Sequence, residues 1–397
     1  MTYYAVIILV MMAFVIASLC LSHHERANRQ LYCVAFAAFA ILICAKYYYG
    51  PDIISYVPYY ENIESVSQIL SGDYDGYFEV GFALFCSIAH TCGLSFWLMT
   101  VLIALIYLTI IYKLFERIEP NYRTFALFVL SYLDYKLPLF ELRQCLAVAF
   151  FIGIYLAYTN KRYALSLLSA IAACLMHRSA IFAVALLFFF ALFWQLKIDK
   201  KLYILTAICF IGILLIPLQS LIGSLLPALP LSEEMAVSLE HHLLLGKRFQ
   251  VVFLIYFGAV FCLAYYGKFD PKNAKTHWLI WCCVCVVIVL YQNYYLLDRM
   301  RSYIVPIVMV YVCNAIAKSD VKDALPRQIY AALILLIAAR FLINDTLSQG
   351  NLQSKTYQPS TVLRLTKQSE AQILKQQMYE AELLWEEDLP KIFEQLQ

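Results

Sequence analysis

Arginines stand at the mouths of three apolar segments, each beside a titratable neighbour. Arg143 lies in LFELRQCLAVAFF next to Glu141, Arg178 follows His177 in CLMHRSAIF, and Arg299 and Arg301 share LLDRMRSYIVP with Asp298. A guanidinium keeps its proton, and its fork matches phosphate oxygens, so arginines converging from three turns fit an anion site. Local pairing of Glu141 with Arg143, and of Asp298 with Arg299 or Arg301, is the competing explanation. Charges at membrane depth cost about 2.5–3.5 kcal/mol on insertion scales, so groups placed there have partners or a task. His177 titrates near neutral pH and can donate to phosphate, although a lone histidine at a helix end is more often a satisfied structural residue.

The second chemical group is acidic. The segment 49–79 carries Asp52, Glu61, Glu64, Asp73, Asp75 and Glu79 and no basic residue. Gly50-Pro51-Asp52 ahead of a periodic stretch predicts a helix from about Pro51, with Asp52, Tyr56, Tyr59 or Tyr60, and Ile63 on one face. Tyrosines at a membrane surface commonly form an aromatic belt. Beside a carboxylate they also suit a sugar, whose C–H face packs on the ring while its hydroxyls meet the acid. Composition leaves both readings open.

These groups can act together only if the fold brings them to one side of a membrane. The 397 residues are 63% hydrophobic and 14% charged, with a mean hydropathy of +0.71. Apolar runs long enough to span a bilayer recur along the chain, which predicts an all-α polytopic membrane protein of about 12 crossings, within 11–13. The expected spans are 3–21, 31–48, 95–115, 124–137, 144–159, 163–176, 180–195, 202–218, 249–266, 278–296, 302–317 and 329–344. The apolar stretch 80–92 is too short to cross and reads as a re-entrant or interfacial helix.

With 80–92 not crossing, loops 22–30, 112–123, 159–163, 196–201, 267–278 and 318–328 fall on one side and hold sixteen basic residues, against seven opposite. By the positive-inside rule the first set is cytoplasmic, and the arginines and acids above face out. The first apolar segment lacks a basic leader and a small-residue cleavage signal, so it reads as a retained span. The 13 cysteines lie mostly within apolar segments and behave as small hydrophobes. A transmembrane domain over 1–345 is followed by a polar tail, 346–397, in which 366–389 has the pattern of an amphipathic helix ending near Pro390. Nucleic acid is not indicated.

GPDIISYVPYYENI, then YFEVGFALFCSIAHTCGLSF, then LRQCLAVAFFIGIYLAYTNKRYALSLLSAIAACLMHRSAIF resemble the EpsG-like family of Wzy-type polysaccharide polymerases. The likeness covers roughly 40–195; beyond that it rests on hydropathy and the DRMRSYIVP turn. The pattern is an acid with spaced tyrosines, a Glu-x-Gly, an Arg-Gln opening a helix and a His-x-Ser. It falls on Asp52, Tyr56 and Tyr60; Glu79 and Gly81; Arg143 and Gln144; His177 and Ser179. Arg178 departs from it by adding a charge where a small or apolar residue is expected.

The resemblance implies a bacterial inner-membrane glycosyltransferase joining repeat units carried on undecaprenyl pyrophosphate, at the outer face, into O-antigen, capsule or exopolysaccharide. Its partners would be the lipid-linked donor and acceptor, membrane lipids and a chain-length regulator. The acceptor hydroxyl needs a carboxylate to take its proton, with Glu79 the first choice and Asp52 the second. The departing pyrophosphate needs fixed cations, for which Arg143, Arg299 and Arg301 lead, with Arg178 and His177 behind. Tyr56, Tyr59, Tyr60 and Gln144 are the sugar-binding candidates. No metal or other cofactor is expected, with a magnesium ion held by the acidic loop as the alternative, for which Asp73-Tyr74-Asp75 is the nearest ligand spacing.

A flippase would share the span count but place polar groups near mid-bilayer in related halves. A membrane acyltransferase would want a histidine base near a thioester approached from the cytoplasm, where His23 and His24 sit in an ordinary basic loop. Another polyprenyl-dependent glycosyltransferase is the remaining alternative.

Overall fold

In the computed structural model the described residues are 3–21, 24–45, 52–71, 74, 78–134, 136–193 and 294–318. All elements among them are helical. They are α1 (Tyr3–Cys20), α2 (Glu25–Cys44), α3 (Ile53–Glu61), α4 (Val66–Leu70), α5 (Val80–Thr91), α6 (Phe96–Phe115), α7 (Pro120–Leu133), α8 (Lys136–Leu139), α9 (Leu142–Thr159), α10 (Tyr163–Met176), α11 (Ser179–Phe193) and α12 (Tyr294–Lys318). The expected spans 202–218, 249–266 and 329–344, most of 278–296, the tail helix 366–389 and the pair Asp73 and Asp75 lie outside the described residues.

Three described helices are long and apolar enough to cross a bilayer: Glu25–Cys44, Phe96–Phe115 and Leu142–Thr159. Helix α5 has 12 residues, which at 1.5 Å per residue is about 18 Å, well short of a hydrocarbon core of about 30 Å. The same measure puts α7 and α10, with 14 residues each, at about 21 Å, so length does not separate α5 from them. Arg299 and Arg301, expected in a turn between two spans, instead both lie on α12, which runs unbroken through them with Pro306 inside it. Leu, Met and Arg are good helix formers, and the two charges lower hydropathy without reversing the chain.

The described residues fall in two compact units divided between Ile181 and Phe182. In the first, α9 pairs with α10 as an antiparallel hairpin, and α6 packs on α9. Small residues let the hairpin close: a Cβ added at Gly153 would meet the Ser169 side chain at 3.4 Å. The hairpin turns at Lys161, whose φ of 59° is left-handed. Lys161 N–H donates to Tyr158 O and Arg162 N–H to Ala157 O, both at 2.9 Å, so a helix-ending motif that favours glycine is closed here by lysine. Fully buried Asn28 joins α1, α2 and α7. It accepts from Ser18 Oγ at 2.7 Å and donates to Leu21 O at 2.8 Å and to Asn121 Oδ1 at 2.9 Å.

The segment between α2 and α6 packs against the α9–α10 hairpin through α5, which lies against α10. Helix α4 is opened by a reciprocal capping box between Ser65 and Gln68. Helix α5 ends at Gly93, φ 75°, where Leu94 N–H reaches back to Ala89 O at 3.1 Å.

Candidate active site

The tyrosine-bearing stretch forms α3 as the sequence predicts, with Asp52 at its N-cap position. The Asp52 carboxylate does not cap that helix, and Tyr56 follows one turn later on the same face. Tyr56 is buried beneath Phe78 and Phe82, with ring centroids 5.1 and 5.7 Å away. Burial pushes the Tyr56 phenol well above its ordinary value, although Arg143 opposes the shift, so the phenol stays protonated.

Glu79 is the N-cap residue of α5, and its side chain leaves that helix's N–H groups alone. It turns instead to two groups from other helices. Oε2 accepts from Arg143 Nη1 at 2.7 Å, and Oε1 accepts from the Arg178 main-chain N–H at 3.1 Å. Burial alone would raise the Glu79 carboxyl; the Arg143 charge and the two hydrogen bonds oppose it, and the carboxyl is held below its ordinary value.

The approach is set by Gly81. A Cβ there would stand 2.6 Å from Leu175 Cβ and 2.7 Å from Leu175 O, so only glycine lets the first turn of α5 lie against the last turn of α10. That contact brings Glu79 to the turn at residues 177–178, which accounts physically for a Glu-x-Gly in this place.

Arg143 enters from the first turn of α9. Its Nε donates to Tyr56 Oη at 3.1 Å, and its guanidinium lies over the Phe78 ring at 4.5 Å and the Tyr56 ring at 5.9 Å. Each such stacking contributes about 0.5–2 kcal/mol. The ion pair is with Glu79, and the local partner Glu141 is not the one used. With Nη1 and Nε engaged, the Nη2 edge is the part of the fork left to meet an incoming anion. The Arg143 side chain retains 21% exposure.

The other expected residues divide. Tyr59 stays with the cluster, edge-on to Phe78 at 4.4 Å and sharing a 2.9 Å contact with the Tyr74 hydroxyl. Tyr60 turns aside; its hydroxyl donates to Leu94 O at 2.7 Å and its ring meets His90 and Phe96. Gln144 is buried in the first turn of α9. His177 is buried at the end of α10, beside Ser179. Arg178 joins through its backbone alone, while its side chain is exposed. Arg299 and Arg301 belong to the second unit, the former half-buried and the latter buried on α12.

Phe78 was not anticipated. It contacts Tyr56, Tyr59, Phe82 and Arg143 at once, and its only sequence signal is adjacency to Glu79. Among the described residues no group of three or more His, Cys, Asp or Glu is arranged to hold a metal ion.

A carboxylate, a guanidinium fixed on three sides and an aromatic wall together can hold a phosphate beside a sugar. A family model described as the EpsG family matches residues 29–359. No curated protein and no solved structure matches the chain.

Proposed function

The chain belongs to the EpsG family, a membership that points to a membrane protein of polysaccharide-polymerase type, and from that premise we propose that it is a Wzy-type polymerase acting on undecaprenyl-pyrophosphate-linked oligosaccharides. In this reading a hydroxyl of the acceptor sugar attacks the anomeric carbon of the donor chain. The new glycosidic bond forms as the anomeric C–O bond to the pyrophosphate breaks. The lipid pyrophosphate departs with the bonding electrons, and the hydroxyl proton passes to a carboxylate.

The observation that carries the reading is the fixed fork of Arg143. Glu79 and Tyr56 take two of its edges, so Nη2 is aimed before substrate arrives, and a preorganised cation of this kind lowers the cost of charge developing on a leaving group. The Arg178 side chain is proposed as a further pyrophosphate cation, and Tyr56, Tyr59 and Gln144 as sugar contacts; Tyr60, whose hydroxyl and ring are turned to Leu94, His90 and Phe96, is not among them.

The two acids suit different tasks. Each Glu79 oxygen already accepts a hydrogen bond and its carboxyl is held low, which makes it a weak proton acceptor and a strong holder of Arg143. Asp52 is half-buried, one helical turn from Tyr56. We therefore give Asp52 the acceptor proton and Glu79 the positioning of Arg143. The active face would be the outer one of the bacterial inner membrane. Deleting the gene and sizing the surface glycan tests the reading: products of one repeat unit are expected. Complete loss of the glycan, or chains of normal length, contradicts it.

A further inference from the structure

The turn between α10 and α11 holds a second arrangement that the ion pair does not use. His177 ends α10 in extended backbone, φ −158° and ψ 131°, with its ring buried. Two donors of Ser179, the first residue of α11, meet the same ring atom: the main-chain N–H lies 3.0 Å from His177 Nδ1 and the hydroxyl 2.7 Å. An imidazole nitrogen has one position in the ring plane for either a proton or a lone pair. A main-chain N–H cannot reverse its direction, so Nδ1 facing it must be the acceptor, and the ring proton must sit on Nε2.

We propose that Ser179 is a positioning residue that fixes His177 as the neutral Nε2–H tautomer, so that the ring is a hydrogen-bond donor at Nε2 and not a base there. The tautomer follows from Ser179 alone; a part for it in the site rests on the function proposed above. The serine hydroxyl supports the same state by donating to Nδ1. A doubly protonated ring would set Nδ1–H against the Ser179 N–H, which the turn cannot relieve because the next residues continue it: Ala180 N–H bonds His177 O at 2.9 Å.

The test is nitrogen NMR of the full chain, labelled with 15N-histidine and held in lipid nanodiscs near neutral pH. His177→Gln identifies the His177 signals among those of the seven histidines. The expected spectrum has an unprotonated Nδ1 and a proton-bearing Nε2. Ser179→Pro removes both donors at a first helical position, where proline is well accepted, and should abolish this preference, giving mixed tautomers. A proton on Nδ1 in the unsubstituted chain, or an unchanged spectrum in Ser179→Pro, overturns the proposal. If the proline variant fails to accumulate, the unsubstituted chain still decides. The spectrum does not depend on substrate, so an Nε2–H signal in a protein whose deletion leaves glycan length unchanged would separate this assignment from the polymerase reading.

Discussion

Arg143 and Glu79 stand 64 residues apart in sequence and meet through an ion pair of 2.7 Å, with side chains 21% and 10% exposed. Such a pair is dry enough to hold its geometry and open enough for one edge of the guanidinium to reach a ligand.

Glu79→Gln keeps the size of the side chain and one carbonyl to accept from Arg143, but removes the charge that fixes the fork. Polymer formation should be abolished, a fall of about 10²-fold or more, while protein level and single lipid-linked repeat units persist. Glycan electrophoresis beside membrane immunoblotting measures both. Retained long chains would show that the pair is dispensable.

Asp52→Asn should lower kcat by about 10²–10⁴-fold and leave KM for the lipid-linked donor nearly unchanged, because the substitution removes a proton acceptor and no phosphate contact. A rise in KM at constant kcat would assign Asp52 to binding instead.

Tyr56→Phe keeps the ring under Phe78 and deletes only the oxygen that accepts from Arg143 Nε. A single such bond to a charged group is worth about 1.5–3 kcal/mol, so activity should fall by about one to two powers of ten. A phenylalanine variant as active as the parent chain would mean that Glu79 alone orients the guanidinium.

Gly81→Ala should destabilise the chain by about 1–3 kcal/mol, the usual cost of overpacking. Because the new methyl would meet Leu175 Cβ, O and C, Leu175→Ala cannot relieve it. Thermal unfolding of the single and double variants in nanodiscs checks this, and rescue by Leu175→Ala would place the contact elsewhere.

The low carboxyl of Glu79 fixes the sign of a pH effect. A folded-state value below the ordinary 4.5 adds stability that is fully present above that pH and disappears as the pH falls through the lower folded value. The stability difference between the parent chain and Glu79→Gln should therefore stay constant from about pH 8 to 5 and shrink only below about pH 4.5. Unfolding midpoints taken across that range measure it. A difference that vanishes near pH 6 would mean that the carboxyl is raised.

The sequence already offered nearly every member of this cluster, because acids, arginines and tyrosines are conspicuous in an apolar chain. It could not offer their pairing. Arg143 had Glu141 two residues away, and no periodicity says that a carboxylate 64 positions earlier displaces it; that choice is made by the packing of α5 on α10 at Gly81. Phe78 was invisible for the opposite reason, since an aromatic residue in such a chain blends into the membrane belt. Short α5 was legible from its length. The Arg299–Arg301 segment reads as a turn because charge interrupts hydropathy there, yet a helix can carry one half-buried and one buried arginine without breaking.

The most direct measurement is the length of surface glycan made by Arg143→Ala and Arg143→Lys in cells lacking the native copy. A lysine keeps the charge but cannot serve Glu79, Tyr56 and an anion through separate edges of one fork. Both variants are expected to accumulate normally in the membrane and yield only single-repeat products. Chains of normal length from either variant would contradict the claim that this guanidinium, fixed by Glu79 and Tyr56, receives the pyrophosphate.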